Sequence, residues 1–118
     1  MAVSNISLLS GVTLLTDTSN AATAVVAKAS STVLYELEMD NTANSAASYL
    51  KIYNTATVTV GTTVPDFVYL VPASTKITLV FPSGTTLGTA MTFATVTAGG
   101  TAGTTPPTAA FALKAVYV

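Results

Sequence analysis

The sequence predicts an all-β fold, a jelly-roll or Greek-key-like antiparallel β-sandwich with an N-terminal arm. Three observations carry this. Thr, Val, Tyr and Phe are abundant, and these side chains suit a pleated, half-buried surface. Apolar and polar residues alternate with a period of two in several stretches. Gly and Pro clusters separate those stretches at intervals of roughly 8–15 residues, the spacing of sandwich strands.

Taken in order, residues 1–30 are read as an N-terminal arm or short strands, and 31–118 as the sandwich. Ser4–Leu9 and Gly11–Leu15 are the short strands of the first segment. Asp17, Ser19 or Asn20 would cap a helix through Ala21–Lys28, but an extended arm with a strand at Thr23–Lys28 fits better. At Val33–Asp40, the set Val33, Tyr35, Leu37 and Met39 is expected inside. Leu34, Glu36, Glu38 and Asp40 are expected outside. At Tyr49–Tyr53, Leu50 and Ile52 face in and Lys51 faces out between two tyrosines. Asp66–Pro72 is almost continuously apolar, as for a strand covered on both faces. Lys76–Phe81 sets Ile77, Leu79 and Phe81 against Lys76 and Thr78, and Ala90–Thr97 carries Met91 and Phe93. Ala110–Val118 alternates Phe111, Leu113, Ala115 and Tyr117 with Ala112, Lys114 and Val116. Gly61-Thr62-Thr63, Gly84-Thr85-Thr86 and Gly103-Thr104-Thr105 read as turns. Pro65, Pro72 and Pro82 mark strand ends, where a missing N–H costs least.

Composition excludes several chemistries. The 118 residues include no His, Cys, Trp or Arg, and only 8% are charged, against about 25% in an average domain. Without His or Cys there is no zinc site of the usual ligand types, no Ser-His triad and no thiolate nucleophile. Without Arg there is no bidentate phosphate clamp. Four basic residues make no nucleic-acid footprint. No apolar run approaches the roughly 18 residues of a membrane helix, and the first basic residue is Lys28, so no secretory signal is expected. A soluble chain with no enzymatic activity, no cofactor and no metal is expected, with no nucleic-acid or membrane partner. Sparse charge with a mean hydropathy of +0.62 suggests a surface covered by copies of itself or by a larger assembly.

Several motifs resemble chemistry. Asp17-Thr18-Ser19 is similar to the motif of retroviral-type aspartic proteases, but the flap and the later buttressing element are missing; a solvent turn is the plainer reading. Glu36, Glu38 and Asp40 share a strand face about 6.8 Å apart. That spacing matches an inverting glycosidase pair or a cation site, yet a solvated strip opposing Lys51 accounts for it. Ser48-Tyr49-Leu50-Lys51 matches Ser-x-x-Lys, but on a strand those positions face opposite sides. Asn5-Ile6-Ser7 fits a glycosylation pattern. Tyr49 and Tyr53, flanking Lys51, form a candidate platform for stacking on a glycan.

The stretch Leu34–Val118 carries an ordered series of features. A Leu-Tyr-x-Leu strand (Leu34, Tyr35, Leu37) precedes an Asn/Ala-rich turn (Asn41–Ala47). Tyr-Leu-Lys-Ile-Tyr (Tyr49–Tyr53) and Val-Thr-Val-Gly-Thr-Thr-Val-Pro-Asp (Val58–Asp66) follow. Then come Val-Pro-Ala (Val71–Ala73), Phe-Pro-Ser-Gly (Phe81–Gly84), a Thr/Ala/Gly-rich loop and the terminal strand. In this series the chain resembles small tailed-bacteriophage virion proteins, most like head decoration (cement) proteins. The resemblance covers about the last two thirds of the chain and rests on turn chemistry and strand pattern. It implies a jelly-roll-like sandwich, a homotrimer, a place on the capsid surface and the major capsid protein as partner. It carries no catalytic, cofactor or metal residues. Leu8, Leu9, Leu14 and Leu15 near the N-terminus, with Val116, Tyr117 and Val118 at the C-terminus, are the candidate interface. A glycan- or receptor-binding module of a phage fibre or adhesin, using Tyr49 and Tyr53, is the alternative.

Overall fold

The computed structural model describes residues 3–9 and 11–118, and among them all side chains except those of residues 6–9. These residues form strands and loops with no helix. The strands are β1 (Val3–Leu9), β2 (Val12–Asn20), β3 (Val25–Lys28), β4 (Thr32–Asp40) and β5 (Ser48–Tyr53). They continue with β6 (Phe67–Val71), β7 (Lys76–Leu87), β8 (Met91–Val96) and β9 (Phe111–Tyr117).

One rule organises the pairing. β2 pairs with β9, β3 with β8, β4 with β7 and β5 with β6, all antiparallel. From β2 onward the chain is therefore a long hairpin, its two arms side by side. It is rolled so that successive pairs fall in alternate sheets, which is the jelly-roll arrangement. The contacts β4·β9 and β5·β8 complete the sheets. One sheet runs β1-β2-β9-β4-β7, the other β3-β8-β5-β6. β1 is an added strand outside β2. Of residues 1–30, β2 and β3 are strands of the sandwich itself, because each is hydrogen-bonded to a strand from the far end of the chain.

Between the sheets lies one core. Leu15, Leu37, Met39, Phe111 and Leu113 come from one side and Leu50, Ile52, Met91 and Phe93 from the other, all fully or almost fully buried. Each such side chain contributes roughly 1.5–3 kcal/mol by leaving water. The alternation expected for β9 holds, with Phe111, Leu113, Ala115 and Tyr117 buried.

The structure corrects three assignments. In β4 the expected phase holds for Leu37 and Met39 but not before them: Leu34 is 2% exposed and Tyr35 37%. The cause is a bulge. Against β9, Leu34 pairs with Tyr117 and Glu36 with Val116, so Tyr35 is an extra residue of β4. Against β7, Leu34 pairs with Thr85 and Glu36 with Val80, so β7 carries extra residues of its own there. A bulge shifts the facing of every residue on one side of it. Those extra residues, Phe81–Gly84, lie inside β7 and are not a strand end at Pro82. Gly84 makes this possible: its φ is +75°, and a Cβ there would lie 2.4 Å from Val33 Cγ1. Finally, β6 is not covered on both faces. It is the edge of its sheet, with Val68 39% and Leu70 51% exposed. The strand buried on both sides is β8, all of whose residues are buried.

Candidate interaction surface

The outer face of the four-stranded sheet is closed by two loops, residues 54–66 and 97–108. They meet over it: a Cβ on Gly61 would lie 2.5 Å from Thr104 Cγ2. Thr92 on β8 donates its hydroxyl to Thr55 O at 2.6 Å. Beneath the second loop lies Lys51. It was expected in solvent and is fully buried. Its ammonium donates to the carbonyls of Gly100 (2.6 Å), Gly103 (3.1 Å) and Thr101 (3.4 Å). Desolvation by burial holds its pKa below the ordinary lysine value. A cation with only neutral dipoles around it is costly to bury, so these charge-assisted bonds are what tie the Gly-rich loop down. Lys51 does not oppose the acidic strip.

The two tyrosines of the glycan reading do not form a stacking platform. Tyr53 is fully buried, and burial raises its hydroxyl pKa. Among the described residues that hydroxyl has no hydrogen-bond partner. Tyr49 is half-buried under Gly99, where a Cβ would lie 2.9 Å from its ring. The same loop covers both Lys51 and Tyr49.

Asp17 is not in a solvent turn. It is fully buried, accepting from Ser19 N at 3.0 Å and from Asn20 Nδ2 at 2.9 Å. Asn20 Oδ1 in turn accepts from Thr95 Oγ1 at 2.6 Å. The chain links β2 to β8 where the backbone crosses from one sheet to the other. An acid enclosed this way cannot meet the carboxylate of a second copy, as protease chemistry requires.

Glu36, Glu38 and Asp40 do share the outer face of the five-stranded sheet. Glu38 is in register with Lys114 and its Oε1 lies 3.5 Å from Lys76 Nζ, Asp40 is in register with Lys76, and Glu36 lies between Val80 and Val116. Asp40 is held below the usual carboxylate range, chiefly by the Thr42 hydroxyl, then by the Thr42 N–H. Among the described residues no group of acids converges on a metal position, and none of them lines a ligand-sized pocket. Ser48 and Lys51 point to opposite sides of β5. Ser48 donates to Asn41 Oδ1 at 2.9 Å, and Asn5 lies exposed on β1.

Of the candidate interface residues, Leu15 and Tyr117 belong to the core, at 0% and 5% exposure. The Tyr117 hydroxyl donates to Ala27 O at 3.1 Å. Leu14 and Val116 are cross-strand partners, half-buried on the outer face of the five-stranded sheet. Val118 is 38% exposed. Leu8 and Leu9 have side chains outside the described set.

The exposed apolar surface lies mainly elsewhere, on the flank where β6 and β7 end their sheets. Val68 and Leu70 on β6 and Val80 (64%) on β7 face solvent, with Val64 (71%) just before β6. Phe67, Tyr69, Ile77, Leu79 and Phe81 face inward from the same two edges and are only partly buried. The Phe67 and Tyr69 rings stack at a centroid distance of 6.3 Å. The signal was the apolar run Phe67–Val71, which fits a covered strand and an adhesive edge equally well. Compared with known families, curated proteins and solved structures, the chain matches none.

Proposed function

We propose that this chain is a non-enzymatic virion structural protein, a head decoration (cement) protein that stabilises a phage shell by bridging subunits of the major capsid protein. The observation that supports this best is a jelly-roll whose apolar exposure is gathered on sheet edges, with few charges to desolvate. Such a surface adheres by apolar contact and backbone pairing. Symmetry on a shell multiplies a modest contact into a stable cage. The copies act together, the resemblance implying three, and their place is the capsid surface. The test is cosedimentation of the purified protein with undecorated shells of its own virus, followed by heating of the shells. Saturable binding that raises the temperature of shell disruption is the expected result. No binding at micromolar protein would end this reading.

A further inference from the structure

We infer that the loop 97–108 is a receptor for a primary ammonium ion, formed by the carbonyls of Gly100, Thr101 and Gly103, and that the loop stays closed over the four-stranded sheet only with a cation there. In this chain the ion is the Lys51 ammonium. The inference stands apart from the decoration reading. It begins from what the loop lacks. Residues 97–108 are Thr, Ala, Gly and Pro only, so no large apolar side chain anchors them, and burial contributes little. The loop folds back on itself instead. Gly103 N donates to Gly100 O at 3.1 Å and Thr97 N to Thr105 O at 2.9 Å. The turn is so tight that a Cβ on Gly103 would lie 2.6 Å from Ala98 O. This path aims three carbonyls away from water and at one point, the Lys51 Nζ. Converging carbonyl dipoles repel one another, and desolvating them without a partner is costly. A ring of backbone carbonyls around a cation has neither fault.

No carboxylate shares the site. In register with Lys51 are Val68 on β6 and Ala94 on β8. Of the five acidic side chains, Asp17 is enclosed in its own network with Asn20. Glu36, Glu38 and Asp40 lie on the other sheet. Asp66 accepts from Asn54 N at 2.7 Å. The receptor is therefore neutral, and hydrogen-bond number decides what it takes. A lysine ammonium has three N–H donors. The loop offers three acceptors, at 2.6, 3.1 and 3.4 Å from the nitrogen. A small primary alkylammonium keeps all three donors and a quaternary ammonium has none, so the first class fits and the second does not.

The experiment separates the cation from the side chain that carries it. Lys51→Ala removes everything beyond Cβ and leaves the three carbonyls. Proteinase K is expected to cut within residues 97–108 about tenfold faster than in wild type, with an unchanged far-ultraviolet spectrum. Ethylammonium or propylammonium chloride at neutral pH, where such amines are charged, is expected to restore wild-type protection saturably. Tetramethylammonium chloride and sodium chloride at the same ionic strength are expected to leave the loop open. In Lys51→Met an uncharged chain fills the position, and the primary ammonium ions are expected to have no effect. One measurement needs no variant. In nitrogen-labelled wild type, the Lys51 ammonium is expected to give a slowly exchanging resonance at neutral pH, distinct from those of Lys28, Lys76 and Lys114. A Lys51→Ala loop as protected as wild type overturns the inference. So does an open loop that no primary ammonium closes or that every salt closes equally, a Lys51→Met loop that closes with them, or the absence of a slowly exchanging Lys51 resonance. Shell binding enters none of these outcomes, so the decoration reading stands or falls separately.

Discussion

The same substitution, Tyr to Phe, is expected to have opposite signs at two buried tyrosines. Tyr53 and Tyr117 are 0% and 5% exposed. The Tyr117 hydroxyl donates to Ala27 O at 3.1 Å, while that of Tyr53 has no partner among the described residues. An unpaired buried polar group costs about 1–3 kcal/mol, and a made hydrogen bond contributes about 0.5–1.5 kcal/mol net. Phe keeps the ring and its burial in both cases. Tyr53→Phe should therefore stabilise by about 1–2 kcal/mol and Tyr117→Phe destabilise by about 1 kcal/mol. An unfolding entropy near 2.1 cal/mol/K per residue makes 1 kcal/mol worth about 4 °C here. Calorimetry should show Tm rising by about 4–8 °C in the first variant and falling by about 4 °C in the second. Alkaline pH gives a second readout. Burial raises the folded pKa of Tyr53, Tyr69 and Tyr117 above the ordinary value of 10.0. Past that pH the unfolded chain loses these protons first, so stability falls as pH rises. Lys51 works the other way. Its folded pKa is lowered, so its contribution rises with pH up to the unfolded value of 10.5. Subtracting the wild-type curve from that of Tyr53→Phe cancels Lys51 and leaves the Tyr53 contribution. A Tyr53→Phe protein that is less stable by 1 kcal/mol or more, with an unchanged alkaline limb, would refute the reasoning.

Lys51→Met removes both the burial cost of the ammonium and its three bonds to the loop. The freed carbonyls can turn to water, so Tm should move by less than about 4 °C, the equivalent of 1 kcal/mol. Limited proteolysis should cut within residues 97–108 faster than in wild type, and loss of global stability without faster cutting would count against the loop-tether role. Asn41→Ala should be far more damaging. Its buried amide donates to Ala46 O, Val71 O and Pro72 O, and its oxygen accepts from Ser48. Leaving several of these groups unpaired should cost about 3–5 kcal/mol, measured as the shift of the urea midpoint at constant m-value.

What can be read from the chain is what a strand's own pattern decides. In β9 the period of two assigns Phe111, Leu113, Ala115 and Tyr117 to the core, and Ile77, Leu79 and Phe81 to the inner side of β7, as found. Apolar side chains on one face of a pleat have only one direction in which to leave water, so alternation and facing coincide. The sandwich class follows from many such segments separated by turns. The exceptions each depend on a second segment. Val33 and Tyr35 show the expected alternation but lose their facing to a bulge, in which Tyr35 is the extra residue of β4 opposite β9. Asp17 reads as a turn residue until β8 is beside it and Thr95 completes its network through Asn20. Lys51 points to the outer side of its sheet, as alternation requires, and is nevertheless buried because a loop 49 residues away closes on it. Phe67–Val71 has no alternation to interpret, and only the sheet order makes it an edge. Local periodicity determines which side of a strand a residue occupies. Whether that side meets water, a loop or another strand is settled by contacts between distant parts of the chain, which no local pattern encodes.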